Sequence, residues 1–239
     1  MEKILIYGGS SQISIELIKI IYKRTDKFII FCRNKNILEK RFSELNYKIE
    51  KFELHEVDLE NLEKNLEIVK SINNLRGIYW VAGFTGKPTI EFQNEEDCKR
   101  NINVNFFHPL LIINNLISKL EEGNNSFLAV VTSVAGLRGR SKNIFYGSAK
   151  AAMISYLSGL RQKYNKKITI CTVIPGYIST SKFNVDAPKF LVSEPSKLAE
   201  KIVEGIDGKK EIVYCSFTWR IIMMIINLIP EKVFKNLKF

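Results

Sequence analysis

The sequence predicts a single doubly wound α/β domain, a parallel sheet of about seven strands with helices on both faces. Three observations lead there. Short apolar runs rich in β-branched and aromatic residues alternate with longer helical patterns, which is the rhythm of strand-helix-strand units. The first run, Lys3 to Tyr7, breaks into a Gly-rich turn and then a helix. A later run ends in small residues at Ser133, thirteen positions before a Tyr-x-x-x-Lys that opens an Ala-rich helical segment. At 239 residues the chain can bury one core and needs no second domain, so 1–239 reads as one unit.

Composition narrows the function classes. Hydrophobic residues make up 46% and charged residues 26%, the balance of an ordinary globular protein. Cys32, Cys98, Cys171 and Cys215 are far apart with no C-x-x-C spacing, which argues against a zinc site or a disulfide framework and for a reducing cytoplasm; no metal is expected. The N-terminus runs directly into a strand pattern without room for a signal peptide, and no apolar run reaches the length of a membrane span. The net charge of +11, from 36 basic and 25 acidic residues, favours anionic partners. Without a nucleic-acid module in the sequence, Lys-rich solvated faces account for that charge and no nucleic-acid partner is expected.

The elements follow in order. After Lys3–Tyr7 comes Gly8-Gly9-Ser10-Ser11-Gln12-Ile13-Ser14, then a helical pattern through Ile15, Leu17, Ile18 and Ile21. Backbone N–H groups at such a helix start, helped by the helix dipole, can hold a pyrophosphate; a mere tight turn is the alternative. The second strand, Phe28 to Cys32, ends in Arg33 and not in an acid. An acid there would take a ribose 2′-hydroxyl, whereas an Arg accommodates a 2′-phosphate, so NADP(H) is expected over NAD(H) unless Arg33 is simply exposed. A charged helix starts near Lys35. The third strand ends at His55-Glu56-Val57-Asp58-Leu59, where Asp58 could instead cap a helix beginning near Glu60. A fourth strand covers Gly77 to Gly83, and a long helical stretch runs from about Glu95 to Leu120 with Asn105 four residues before Pro109. His55 and His108 lack a partner at ligand spacing and read as structural. The strand Lys167–Ile174 closes in Pro175-Gly176-Tyr177-Ile178-Ser179-Thr180, and Lys182 to Ser193 is too irregular for a regular element and suits a lid over substrate. A helix at 195–206 and a strand at 211–214 complete the sheet.

Tyr146 and Lys150, four apart, share one helical face. A phenol of ordinary pKa near 10 is a poor acid or base at neutral pH, and a neighbouring cation favours its phenolate. The spacing Ser133-x12-Tyr146-x3-Lys150 resembles that of the short-chain dehydrogenase/reductase family, and the resemblance extends over nearly the whole chain. It implies a Rossmann fold and hydride transfer between NADP(H) and a carbonyl or secondary alcohol. Ser133 would bond the carbonyl oxygen, Tyr146 would donate the proton, and Lys150 would favour the phenolate and hold the nicotinamide ribose. Asn105 would kink its helix and hold a water on the proton path. For the cofactor, the resemblance assigns Gly8, Ser10, Ser11, Gln12 and Ile13 to the phosphates, and Asp58 and Leu59 to the adenine. It adds Ala82 and Gly83, and gives Pro175, Gly176, Ile178 and Thr180 to the nicotinamide. Two departures stand out. Gln12 and Ser14 occupy glycine positions of the Gly-x-x-x-Gly-x-Gly turn, and Trp80 and Val81 replace two asparagines before Ala82-Gly83.

For the substrate, Arg138, Arg140 and Lys142 suggest an electropositive rim suited to a phosphate, or plain surface. The altered turn, the Ala-Gly lacking both asparagines and the tail look like a branch of the family that contains the keto-reductase of decaprenylphosphoryl-ribose 2′-epimerase, which implies a lipid-linked sugar ketone. Small ketones, 3-oxoacyl thioesters, and a non-catalytic NADP-binding regulatory protein are the alternatives. A homodimer or homotetramer is expected. The last segment, about 217–239, places apolar residues Ile221 to Ile229 between Arg220 and Lys232, Lys235 and Lys238. It is too short to span a bilayer, and reads as a buried helix, an oligomer contact or an anchor on the inner membrane surface.

Overall fold

The computed structural model describes residues 2–86, 95–180 and 187–237. Strands β1 (Lys3–Tyr7), β2 (Lys27–Cys32), β3 (Phe52–Glu56), β4 (Leu75–Trp80), β5 (Ser126–Val131) and β6 (Ile168–Ile174) form the sheet. Beyond them lie the two-residue strands β7 (Tyr177–Ile178) and β8 (Val192–Ser193), which pair only with each other, and β9 (Ile212–Tyr214). The seven-stranded sheet is parallel throughout, in the order β3-β2-β1-β4-β5-β6-β9. Its central strands are buried on both faces, which is why they read as near-continuous apolar runs and do not alternate.

Helices cover both faces, as expected. Helices α1 (Gln12–Ile21), α2 (Lys35–Glu44) and α7 (Pro195–Asp207) close one core through Leu17, Ile18, Phe42 and Leu198. On the other face α3 (Leu62–Ser71), α5 (His108–Glu121) and α6 (Ile144–Lys163) contribute Val69, Ile112, Leu116 and Leu157. Helix α4 (Glu95–Ile102) leads into α5, and α8 (Phe217–Leu228) and α9 (Glu231–Phe234) end the chain.

Several boundaries differ from the sequence reading. β3 stops at Glu56, and the cap of α3 is Asn61, whose Oδ1 accepts from Lys64 N–H at 3.1 Å, so Asp58 is not the cap. β4 stops at Trp80, leaving Val81-Ala82-Gly83 outside the strand. The stretch from Glu95 is not one α-helix, because a π-helical turn at Asn103–Phe107 separates α4 from α5. Of the expected lid, residues 182–186 lie outside the described residues. The remainder is more regular than expected, with a 3-10 turn at Lys189–Leu191 followed by β8, which pairs with β7.

Candidate active site

The strand order reverses between β1 and β4, which leaves a crevice at their carboxyl ends, the usual ligand site of an open parallel sheet. The two ends touch there. Gly8 has φ of +87°, and a Cβ on it would lie 2.7 Å from Ala82 N, so a side chain is excluded by both conformation and space. Val81 and Ala82 N–H both donate to Tyr7 O, at 2.9 and 3.0 Å. Beneath this junction Tyr7 is stacked between Phe31 and Trp80, with ring centroids 4.2 and 4.1 Å away. Trp80 thereby braces the sheet at a position where the family pattern has an asparagine.

The turn after β1 is closed by hydroxyl groups. Ser11 caps α1 by accepting from Ser14 N–H at 3.0 Å, and its own hydroxyl donates to Ser14 Oγ at 3.0 Å. Ser14 Oγ donates to Gly8 O at 2.8 Å and is fully buried, so the serine in the third glycine place ties the turn shut. Gly9, which the sequence reading passed over, is required by packing: a Cβ there would meet Ile30 Cγ2 at 2.1 Å. Ser10 is exposed, and Ile13 packs against the core beneath the turn. Gln12 opens α1, and with Thr180 it lines a cavity of about 570 Å3 between α1, α2 and the start of α7.

Cys32 is buried, and burial pushes its thiol up to about 11. Arg33 is exposed just past β2, with no carboxylate among the described residues paired to it. Asp58 is exposed and orders the 58–61 turn, its Oδ1 accepting from Glu60 N–H at 3.0 Å. Leu59 O accepts from His108 Nδ1 at 2.7 Å, so His108 carries its proton on that nitrogen and fixes the turn to α5.

The serine, tyrosine and lysine converge at the ends of β5 and β6. Ser133 follows β5 in extended conformation, and its Oγ accepts from Ala135 N–H at 3.1 Å. The 3-10 turn Val134–Gly136 then lies flat on α6. A Cβ on Gly136 would be 2.8 Å from Ala151 N, and one on Gly147 would be 2.9 Å from Ala135 O. That approach puts Ser133 within hydrogen-bond reach of Tyr146. Lys150 is 4% exposed; its Nζ donates to Val131 O at 3.1 Å and lies 5.7 Å from the Tyr146 ring centroid. Burial lowers the Lys150 ammonium to about 8. Burial also raises the Tyr146 phenol, outweighing the Ser133 hydrogen bond and the Arg140 charge, which both lower it. In this geometry desolvation outweighs the neighbouring groups that favour the phenolate.

Asn105 sits in the π-helical turn. Its side chain is engaged with Phe84, whose N–H it accepts at 3.1 Å and whose carbonyl it meets at 2.6 Å, and with Asn101 O at 3.1 Å. Gly83 lies between Asn105 and Lys150: a Cβ there would be 3.1 Å from Asn105 Oδ1 and 3.3 Å from Lys150 Nζ. Val134 N–H donates to Pro175 O at 3.0 Å, joining the serine loop to the turn that carries Gly176, Ile178 and Thr180. The rim does not form as expected. Arg138 is turned away to Glu231 at 2.7 Å and to the Phe234 ring, leaving Arg140 and Lys142.

An uncharacterised oxidoreductase of Mycobacterium tuberculosis is 22% identical over 241 residues, 98% of this chain and 96% of its own. The 3-oxoacyl-[acyl-carrier-protein] reductase of Bos taurus is 24% identical over 75% of this chain and 77% of its own. The fold matches a short chain dehydrogenase of Burkholderia cenocepacia, solved in complex with NADP, with a TM-score of 0.80 at 18% identity, covering 96% of this chain and 100% of that one. Since the family description "short chain dehydrogenase" matches residues 2–189, the chain belongs to the short-chain dehydrogenase/reductase family of nicotinamide-dependent oxidoreductases.

Proposed function

We propose that the protein reduces a carbonyl to a secondary alcohol, or runs the reverse, with NADP(H) in preference to NAD(H). The observation that carries this reading is the meeting of half-buried Ser133 and Tyr146 with buried Lys150 beside the crevice at the Gly8–Ala82 junction. Ser133 Oγ accepts from Ala135 N–H, and its own O–H, which here meets Tyr146, would turn to a substrate oxygen and oppose the charge developing there. Tyr146, held protonated by burial, is suited to deliver a proton to that oxygen. Lys150 keeps its charge at neutral pH and would hold the cofactor ribose. Asn105 fixes Phe84 and Gly83 against Lys150 and supports the lysine's position.

The chain has the parts a dinucleotide needs. Backbone N–H groups at the start of α1 would take the pyrophosphate, those of Gly8, Gly9 and Ser11 being already bonded to Phe31 O and Gly8 O, and Arg33 would take a 2′-phosphate. Asp58 and Leu59 would contact the adenine, Ala82 and Gly83 would line the crevice, and Pro175, Gly176, Ile178 and Thr180 would hold the carboxamide. When bound, the cofactor supplies or accepts the hydride. The NADP complex of the Burkholderia cenocepacia protein supports that cofactor class.

For the substrate, Arg140 beside Tyr146 favours a carbonyl compound bearing an anionic group, such as a phosphorylated or lipid-linked sugar ketone. The Bos taurus relative keeps a 3-oxoacyl thioester in play, and small ketones complete the set. We read the protein as a cytoplasmic homo-oligomer. An NADPH-oxidation screen across these three carbonyl classes, with Tyr146→Phe as the control, tests the reading. Turnover abolished by that change supports it; NADPH binding without turnover on any class leaves a regulatory NADP-binding protein instead.

A further inference from the structure

Helix α8 carries two apolar faces, and only one is used. Trp219 and Met223 are buried, and with Ile222 and Ile226 they pack on Val134, Ile174, Leu137 and Leu191. At about 100° per residue, Phe217, Ile221, Met224, Ile225 and Leu228 fall on the opposite side within an arc of about 100°. Phe217 is 73% exposed, Leu228 77%, and Met224 and Ile225 are 56% and 55% exposed. One packed face explains the first set and leaves the second without a covering element among the described residues.

The helix that carries this face borders the active site through its packed side. Trp219 Nε1 donates to Leu191 O at 2.8 Å, and its indole fills the space over Gly176, where a Cβ would lie 1.9 Å away. On the other side Arg138, five residues after Ser133, donates to Ile229 O at 3.2 Å and pairs with Glu231 at 2.7 Å. The C-terminal helices are thus pinned to both the serine loop and the turn after β6. Phe190, 70% exposed, follows the same rim next to Leu191.

The charges beside this face are of one sign. Arg220, Lys232 and Lys235 are exposed and in no ion pair among the described residues, while Glu231 is taken by Arg138. We propose that α8 and α9 seat the protein on an anionic lipid surface, with the outer face of α8 in the headgroup boundary and the active-site mouth opening beside it. A two-fold contact of this face with a second copy would bring the same three cations toward their counterparts in a chain of net charge +11, whereas a lipid surface neutralises them. The association is peripheral, since no helix among the described residues is long and apolar enough to cross a membrane. It goes beyond the catalytic reading and stands whichever carbonyl is the substrate.

The test uses the full chain and vesicles of phosphatidylcholine, alone or mixed with phosphatidylglycerol in equal parts. The protein should sediment with the mixed vesicles and be released by salt, but not sediment with the neutral ones. Ile225→Asp with Leu228→Asp, both at exposed positions, should abolish sedimentation and leave thermal stability unchanged. Lys232→Glu with Lys235→Glu should weaken it by at least about twentyfold, on the order of fivefold per cation. Failure of the unaltered protein to sediment with anionic vesicles overturns the proposal, as does sedimentation indifferent to the aspartates. If the aspartate pair instead lowers the oligomeric mass and no vesicle binding is seen, the face is a contact between copies and the lipid assignment is wrong.

Discussion

The turn at residues 8–14 and the loop from Ser133 to Lys150 border the same crevice, yet they relate to the family pattern in opposite ways. The first departs from it at Gln12 and Ser14 and keeps its shape, because Ser11 and Ser14 hydroxyls close the turn on Gly8 O. The second keeps Ser133, Tyr146 and Lys150 in register. The difference follows from what each segment offers. A phosphate cradle works through backbone N–H groups, and several side-chain sets hold a backbone in one shape. A proton donor works through one oxygen atom, and no other side chain puts a hydroxyl of that acidity in that place.

If that contrast is right, changes in the loop fall on turnover and changes in the turn fall on affinity and stability. The largest effect belongs to Tyr146→Phe, which should lower turnover by about two or more orders of magnitude while stability and NADPH binding stay near those of the unaltered protein. Steady-state kinetics and a cofactor titration on one preparation check both halves.

Lys150→Met should also remove most turnover, but it should stabilise the fold at neutral pH by about 1–3 kcal/mol, since a buried charge no longer has to be desolvated. The sign is fixed by the shift: the ammonium titrates at about 8 in the folded chain and at its ordinary 10.5 when unfolded. The unfolded state therefore binds more protons between those values. The penalty is complete below pH 8 and is relieved as pH rises toward 10.5, so the advantage of the variant in urea unfolding should shrink across that window. A variant less stable than the parent at pH 7 would contradict the burial argument.

Arg33→Ala should weaken NADPH binding roughly tenfold and leave NADH unchanged, because a lost charge-assisted pair affects only the phosphorylated cofactor. Equal losses for both would place Arg33 outside the 2′-phosphate site. The smallest effect, and the sharpest test of the contrast, is Ser14→Gly. It restores the family's glycine yet removes the hydroxyl bridge and puts a flexible residue in α1, so thermal unfolding should reveal a loss of about 1–2 kcal/mol. A gain in stability would show that the serine is a compromise and not a brace.

Much of this was legible in the sequence because it is local or periodic. β1 runs from Lys3 to Tyr7 as read, and α6 carries Tyr146 and Lys150 on one helix. What the sequence hid depends on partners far along the chain. Arg138 looked like part of an anionic-substrate rim, but Glu231 and Phe234, about a hundred residues later, draw it away. Burial by the assembled fold outweighs the neighbouring groups that favour the Tyr146 phenolate. Gly136 and Gly147 are ordinary small residues in one dimension; only the docking of the serine loop on α6 makes them necessary. His108 had no partner at any sequence spacing because it bonds a backbone carbonyl, and motifs do not record backbone carbonyls.

The chain has two tryptophans, and the fold has set one against each half of the crevice. Trp80 lies in the aromatic stack under the Gly8–Ala82 junction, and Trp219 lies over Gly176 in the turn after β6. Reduced nicotinamide absorbs where indole emits, so the protein carries its own pair of optical rulers. In Trp80→Phe the remaining emission comes from Trp219 alone, and quenching on addition of NADPH would report the arrival of the nicotinamide end without any label.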